Sequence, residues 1–544
     1  MAAAVPLTRA PAPARRPAVT VSFPIVLALV LGAISLLPYL LAYAWTPPGK
    51  HFAGFFFIAD DATTYLAKMR EGADGAWLWT DPYTSEAHGG VFLFGFYLLL
   101  GHLAALLHLP LVIAYHLARV AGGVALVLAV DRLAQRLLVP GLRRLAVVFT
   151  MLASGLGFVA QALGNPGLGG MRLEALDLHL PELSAWYSVL AIPHFVWATT
   201  LIVLVLIGLL DLQERPTLRT TVRTGVLLTA LAAIHPQMIP VLAIIWAGYC
   251  LLLWGWGARP SARSVLAEAA AFALAVPLLL YNAWVLYTDP TIALWAKQWK
   301  HQAPNILSLS ISLGLPLAAA AYATALTWSR RDRRLALLAI WPPLVIALLY
   351  LPNLANIQRR LLDALYVPLG FLAAVGLRAL LARWPGRAAR LERLMVPLFC
   401  LSSALLLAIA LRFASGVYPE IYLSRDQAQT LGWLSTHHVA ADRVLSSPGD
   451  GLYIPAWSGV PVYVGHYSET LDYFAKIRAA QATLQASTPA ATVEQFLIDN
   501  GITLLWWGPD ERAGLTFRPD QHAYLQPVYS TGSITLYRLT PDAS

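Results

Sequence analysis

The sequence predicts a polytopic α-helical membrane protein that carries a small α/β domain at its C-terminus. Only 12% of its 544 residues are charged, whereas a soluble protein has about a quarter. Apolar runs of about 20 residues, the length that a helix needs to cross a bilayer, recur between residues 21 and 413. After residue 413 the composition changes to polar segments that alternate with short β-rich runs.

Arginines in short loops between the apolar runs indicate which side of the membrane each loop faces. Segments 46–88, 164–186, 288–305 and 353–358 are poorer in positive charge. The positive-inside rule places these segments outside and the basic loops, with the tail 1–20, in the cytoplasm. This distribution explains the net charge of +9 and argues against a nucleic-acid partner. We expect an integral protein of a bacterial cytoplasmic membrane.

About eleven spans follow from this topology. Segment 90–107 is counted as a re-entrant or interface-lying helix, because a full crossing there would move most basic loops outside. The transmembrane domain then covers residues 21–413, and its first external loop covers residues 46–110. The predicted spans are 21–45, 111–131, 145–163, 187–210, 224–238, 239–256, 266–287, 306–328, 336–352, 361–381 and 394–413.

Residues 414–544 are predicted to form the α/β domain on the external side. Its predicted strands are 443–447, 460–464, 502–507 and 533–537, and its predicted helices are 424–438, 468–485 and 490–500.

The first external loop contains two adjacent carboxylates, Asp60 and Asp61, shortly after the first apolar run. Carboxylates near a bilayer are costly and usually mark a site. An aspartate in this position could deprotonate an acceptor hydroxyl. The alternative is that these residues cap the helix that follows them.

Further polar and aromatic side chains follow in the same loop. Tyr65, Glu86 and His88 are candidates for substrate binding, because a long loop with such side chains is usually functional. The alternative is a simple interface anchor, since aromatic residues are also typical of membrane interfaces.

Gln358, Arg359 and Arg360 form a second candidate site at the outer end of a span. Two arginines there contradict the positive-inside trend, and phosphate binding would explain them. The alternative is a salt bridge to an external carboxylate. Lys297 and Lys300 could bind a lipid headgroup or simply extend to the interface.

Two further groups of residues could contribute to a site. Glu174 and Asp177 are one helical turn apart and could hold a divalent cation such as Mg²⁺ or Mn²⁺, or belong to a solvated acidic loop. His466 and Glu469 could face the site from the C-terminal domain, or form a structural turn.

These motifs together resemble the GT-C superfamily of membrane glycosyltransferases, which includes protein O-mannosyltransferases, the aminoarabinose transferase of lipid A and oligosaccharyltransferases. The resemblance lies in Asp60-Asp61, in the 358–360 segment leading into 367–369, and in the 458–469 element. It implies a polyprenyl-phosphate-linked sugar donor, Asp60 or Asp61 as the base, Arg359 or Arg360 on the lipid phosphate, and inversion in a single displacement.

The acceptor stays open between a glycan, a lipid and a protein. A Trp-Trp-Asp peptide-recognition motif is missing, since Trp506-Trp507 is followed by Gly508, and this departure argues against N-glycosylation of proteins. The alternative function is a transporter or lipid flippase, although the notable charges lie at the outer surface and no internal repeat is visible.

Overall fold

The computed structural model describes residues 22–168, 171–298, 300–352, 357–417 and 421–540. The tail 1–20 and residues 353–356 of the predicted external segment lie outside these ranges. The elements of the first half are α1 (Phe23–Ala44), β1 (Lys50–Phe52), α2 (Ala59–Ala73), α3 (Gly95–Leu106), α4 (Leu111–Leu137), α5 (Pro140–Leu152), α6 (Gly157–Ala162), β2 (Gly167–Leu168), β3 (Met171–Arg172), α7 (Leu176–His179), α8 (Ala185–Ala191), α9 (Pro193–Glu214), α10 (Leu218–Ile234) and α11 (Met238–Gly255).

The second half continues the helical domain and then forms a small sheet. Its elements are α12 (Ala262–Ala273), α13 (Val276–Thr288), α14 (Pro290–Gln298), α15 (Ile306–Arg330), α16 (Ala336–Leu349), α17 (Tyr366–Leu381), α18 (Ala388–Phe399), α19 (Leu401–Arg412), β4 (Tyr422–Ser424), α20 (Arg425–His437), β5 (Val444–Leu445), α21 (Pro448–Ser458), α22 (Tyr473–Thr483), α23 (Ala490–Asp499), β6 (Leu504–Trp507), α24 (Pro509–Gly514), β7 (Leu525–Ser530) and β8 (Thr535–Leu539).

Seven segments of the described chain are long and apolar enough to cross a membrane, and the bent pair α18 and α19 makes an eighth. The seven are Phe23–Ala44, Leu111–Leu137, Pro140–Ala162, Pro193–Glu214, Met238–Gly255, Ala262–Thr288 and Ile306–Arg330. The protein is therefore an integral membrane protein of mostly helical structure. The predicted spans 224–238, 336–352 and 361–381 correspond to α10, α16 and α17, which are shorter helices. The number of eleven crossings stays a prediction.

Segment 90–107 contains the 12-residue helix α3, which is about 18 Å long and too short to cross a bilayer of about 30 Å. It packs against α2, with glycines at the crossing. A Cβ atom on Gly72 would lie 2.1 Å from the carbonyl oxygen of Leu98, and one on Gly101 would lie 2.0 Å from that of Met69. These glycines let the two backbones touch, and the contact fixes α2 within the loop.

The C-terminal sheet has the strand order β5-β6-β8-β7, with β5 and β6 parallel and the other pairs antiparallel. Three of the four predicted strands are present as β5, β6 and β8. The predicted strand 460–464 forms only a single bridge, between Val444 and Val462, because Pro461 has no N–H to donate to a ladder. The predicted helix 468–485 begins later, at Tyr473, since the chain first forms a tight turn around His466. Strand β7 and helix α21 were not predicted.

The first loop and the C-terminal region are joined by backbone pairing. Strand β1 of the loop pairs antiparallel with β4, so that His51 lies opposite Leu423. Further along the loop, the Val462 N–H donates to the Pro82 carbonyl. Residues far apart in the sequence are thereby brought to one place beside α2.

Candidate active site

Asp60 and Asp61 lie in the first turn of α2, directly after a sharp bend of the chain. Ile58, with a φ of 51°, occupies the N-cap position of the helix, so neither aspartate caps it. Their charges lie at the positive end of the helix dipole, which favours carboxylates. The structure therefore excludes an N-cap role for both aspartates, although both stabilise the start of α2 through the helix dipole.

Asp61 faces His466, which comes from the turn before α22. His466 Nε2 lies 3.3 Å from Asp61 Oδ1, and the two side chains are 1% and 29% exposed. Burial raises the pKa of Asp61, but the contact with His466 and the positive charges of Arg360 and Lys68 outweigh burial and hold this pKa below its ordinary value. Asp61 is thus ionised at neutral pH.

Asp60 has a different environment, although it is the next residue. It lies at the surface, and partial desolvation, together with the neighbouring charge of Asp61, raises its pKa in spite of the opposing effect of His466. The two adjacent carboxylates are therefore unequal, and Asp61 is the one held ionised by cationic neighbours.

Arg359 and Arg360 both contact Glu182, an acidic residue that lies between α7 and α8. Arg360 Nη1 donates to Glu182 Oε1 at 2.9 Å, and Arg359 Nε lies 3.3 Å from the same oxygen. The salt bridge expected in the alternative interpretation is thus present. Arg360 is the more buried of the two, at 15% exposed against 31%, and it also packs over the ring of Phe195.

A cavity of about 320 Å³ lies between α2, α3, α10, α13 and the segment before α17. Its wall is mainly apolar and aromatic, as is usual for a ligand pocket, and polar side chains from several elements also reach it. Arg360, Tyr65 and Glu469 reach this wall, whereas Arg359 does not contribute to it. The other polar lining residues are Tyr97, His194, His235, Gln237, Asn282, Trp295 and His301.

Glu469 is buried at the edge of the cavity, and both of its carboxylate oxygens accept a hydrogen bond. Its Oε1 accepts from Lys68 Nζ at 2.8 Å and its Oε2 accepts from Trp295 Nε1 at 2.7 Å. Lys68 itself is 1% exposed, and its ammonium group also lies 4.3 Å from the centroid of Phe94. A buried charge pair with this many partners fixes the relative positions of α2, α14 and the turn at 466–470.

The other candidates for substrate binding lie away from the cavity wall. The His88 ring accepts from the Asp81 N–H at 2.8 Å, and Glu86 Oε2 accepts from Lys476 Nζ at 2.7 Å. Both therefore stabilise the loop and its contact with α22. Lys297 and Lys300 are exposed. Gln358 begins the short 3₁₀ helix that carries both arginines.

The structure does not bring Glu174 and Asp177 together as a cation site. Glu174 is exposed, whereas Asp177 is 1% exposed and packs against the backbone at Gly157, where burial raises its pKa to about 6. The described residues contain no group of three or more His, Cys, Asp or Glu side chains that could hold a metal ion. We therefore derive no step through a metal.

Several functional candidates were missed by the sequence reasoning, or left without a role. Lys68 lies in the first loop but belongs to no recognisable motif. His194 and His235 lie within apolar runs and belong to no motif, yet His235 Nδ1 lies 2.9 Å from Asp363 Oδ2, and His194 Nδ1 lies 2.6 Å from the Tyr97 hydroxyl. A histidine within an apolar run was the available signal.

Solved structures with the same arrangement of elements identify the fold. The chain resembles the archaeal oligosaccharyltransferase AglB of Archaeoglobus fulgidus in complex with an inhibitory peptide and a dolichol-phosphate, with a TM-score of 0.52, 12% identity, and coverage of 90% of this chain and 70% of that chain. It also resembles ArnT of Cupriavidus metallidurans, with a TM-score of 0.51, 14% identity, and coverage of 94% and 97%. The chain has the GT-C fold.

The expected fold class is thereby confirmed, and these neighbours are glycosyltransferases of the GT-C type. At 12–14% identity the likeness concerns the fold, and it leaves the chemistry to be argued from the site. No family model matches the sequence, and no curated protein matches it.

Proposed function

We propose that this protein is a membrane glycosyltransferase that moves a sugar from a polyprenyl-phosphate-linked donor to an acceptor hydroxyl. Asp61 is the general base and Arg360 binds the phosphate of the donor. The reaction takes place on the extracytoplasmic side, with the N-terminus in the cytoplasm and residues 414–544 outside. The acceptor is a glycan, a lipid or a protein.

The observation that carries the proposal is the convergence of Asp61 and Arg360. They are far apart in the sequence, yet Arg360 is close enough for its charge to lower the pKa of Asp61. Arg360 also lines the cavity, and so does Tyr65, one helical turn after Asp61. The Asp61 carboxylate is not itself a lining residue, since it lies one turn before Tyr65, outside the wall that Arg360 reaches. This arrangement suits a donor whose lipid chain and phosphate occupy the apolar cavity while its sugar extends towards Asp61.

The chemistry requires one proton transfer and one displacement. Asp61 accepts the proton of the acceptor hydroxyl while the hydroxyl oxygen attacks the anomeric carbon of the sugar. The bond between that carbon and the phosphate oxygen breaks, and the phosphate leaves with the electron pair. A single displacement from the opposite face inverts the anomeric configuration.

Arg360 stabilises the charge that develops on the leaving phosphate. Guanidinium groups match phosphate oxygens through two parallel hydrogen bonds. Glu182 holds Arg360 in place through Nη1 alone, so other N–H groups of the fork can serve a ligand. Since Glu182 is 1% exposed, it orients the arginine from the protein side.

The test is a transfer assay with purified protein, a polyprenyl-phosphate sugar and a panel of glycan, lipid and peptide acceptors. We expect Asp61→Asn to reduce kcat by about 1,000-fold, because loss of a general base costs roughly 100- to 10,000-fold. Asp74→Asn, at the exposed end of the same helix, is the matched control and should keep wild-type kcat.

Two outcomes would contradict the assignment. Full activity of Asp61→Asn would show that Asp61 is not the base. If Asp60→Asn lost activity while Asp61→Asn kept it, the base would be Asp60. Movement of the intact lipid-linked sugar across sealed vesicles, without transfer to any acceptor, would instead indicate a flippase.

A further inference from the structure

His466 lies in a tight turn that hydrogen bonds hold against the first external loop. The Thr470 N–H donates to the His466 carbonyl at 2.9 Å, and the Gly465 N–H donates to Thr470 Oγ1 at 3.1 Å. Thr470 Oγ1 in turn donates to the carbonyl oxygen of Tyr83 at 2.8 Å. These bonds fix the turn against the loop that carries the aspartate pair.

The imidazole ring has a defined orientation within this turn. Its Nδ1 lies 3.4 Å from the Ser468 backbone N–H, which can only donate, and 3.1 Å from Ser468 Oγ. A ring nitrogen that accepts is unprotonated, so the proton of the neutral ring is on Nε2. Nε2 is the atom that lies 3.3 Å from Asp61 Oδ1.

We propose that His466 is a positioning residue for the general base: its Nε2–H holds Oδ1 of Asp61 and leaves Oδ2 to accept the proton of the acceptor hydroxyl. The inference rests on the proposed function of Asp61. It makes the C-terminal region a part of the active site. The geometry follows the logic of a catalytic triad, in which a group that does not react orients the group that does.

The burial of His466 supports this role. At 1% exposed it is too deep to meet an acceptor directly, and its ring is packed beside Tyr83. Nε2 contacts Oδ1 of Asp61 rather than Oδ2, so the contact favours one orientation of the carboxylate. The other charged or titratable groups that interact with Asp61 are Asp60, Tyr65, Lys68, Tyr97, Tyr115, Tyr187, His301, Arg360 and Tyr467.

Two substitutions at position 466 distinguish a role of His466 in positioning Asp61 from a role in packing alone. His466→Gln places an amide N–H near the position of Nε2, whereas His466→Asn is too short to reach Asp61. We expect His466→Asn to lower kcat by about 100-fold, as for a displacement of about 1 Å at a reacting group, with an unchanged KM for the donor. His466→Gln should restore most of this loss, and His438→Gln, at an exposed histidine, is the control.

The pH profile provides a second readout. In His466→Asn the acid limb of kcat/KM should move to higher pH, because contact with His466 helps to hold the pKa of Asp61 below its ordinary value. In Asp61→Asn, replacing His466 should cause no further loss of kcat. Equal activity and equal pH profiles in wild type, His466→Gln and His466→Asn would overturn the inference.

A stability cycle tests the contact without using activity. The melting temperatures of wild type, Asp61→Asn, His466→Asn and the double variant are compared at pH 7 in one detergent. We expect the decreases of the two single variants not to add, and additive decreases would overturn the inference. This result is independent of whether any sugar donor is found, so failure of the proposed function remains distinguishable.

Discussion

At the scale of single residues, the pH dependence of the reaction is expected to differ according to which of the two aspartates is the base. A base accepts a proton only when it is ionised, so kcat/KM falls as the pH drops through its pKa. The pKa of Asp61 is held below the ordinary aspartate value of about 3.9, whereas the pKa of Asp60 is raised above its own ordinary value.

We therefore expect kcat/KM to stay constant down to a pH below that ordinary aspartate value. An acid limb that starts clearly above it, and that disappears in Asp60→Asn, would assign the base to Asp60 instead. The measurement is the initial rate against pH at subsaturating donor, on protein that remains folded over the range.

The arginine pair allows a matched comparison. Arg360 lines the cavity, whereas Arg359 is more exposed and is not among the lining residues. We expect Arg360→Gln to lower kcat by roughly 100- to 1,000-fold, as for the loss of one group that stabilises a developing anion. Arg359→Gln should cost less than about 10-fold. Equal losses in both variants would contradict the assignment of the phosphate to Arg360.

These residues also show how far the sequence could define the site. Asp60 and Asp61 were recognisable because two carboxylates follow an apolar run, and Arg359 and Arg360 because they oppose the charge bias. Their partners were not recognisable. Glu182 is 178 residues from Arg360, and neither spacing nor composition connects residues that only the fold brings together.

At the scale of secondary-structure elements, the crossing of α2 and α3 controls where the aspartates stand. Gly101→Ala would place a Cβ atom 2.0 Å from the Met69 carbonyl oxygen, so the helices must separate. We expect a loss of about 1–3 kcal/mol in the free energy of unfolding, with a lower melting temperature and reduced transfer.

Gly89→Ala is the control for this prediction, because a Cβ atom there meets no atom within 4 Å. It should change the melting temperature little. Equal stability of the two variants would show that α2 and α3 do not touch at Gly101.

Sequence periodicity predicted the fold class correctly, but it predicted the bounds of the individual elements with unequal accuracy. The long apolar runs predicted α1 and α15 to within two residues of their observed bounds, because a helix that crosses a bilayer needs about 20 apolar residues. The predicted span 111–131 is too short, since α4 continues to Leu137, and the predicted span 187–210 is divided into α8 and α9. The prediction that segment 90–107 does not cross the membrane came from charge rather than from hydropathy, and the short length of α3 agrees with it. Strand β7 contains Pro527, which reduces its strand signal, and pairing with β8 alone defines it.

At the scale of the whole molecule, the first loop and the C-terminal region depend on each other through Lys68 and Glu469. These residues are 401 positions apart and both are nearly fully buried. Lys68→Met would leave the Glu469 charge buried with Trp295 as its remaining partner. We expect a loss of about 3–5 kcal/mol in the free energy of unfolding, as for breaking a buried ion pair.

Glu469→Gln in the Lys68→Met background should recover much of this loss, because a neutral amide no longer needs a counter-ion. Lys297→Met, at an exposed lysine of α14, is the matched control and should leave the melting temperature unchanged. A Lys68→Met protein as stable as wild type would show that the pair does not hold the two regions together.

The most direct test of the central claim is a structure of the protein with a bound polyprenyl phosphate sugar. We predict that the phosphate oxygens lie within hydrogen-bond distance of the Arg360 guanidinium group, with the lipid chain in the cavity and Asp61 near the anomeric carbon on the face away from the phosphate. A phosphate bound elsewhere, or a wall of packed helices between the sugar and Asp61, would contradict the account.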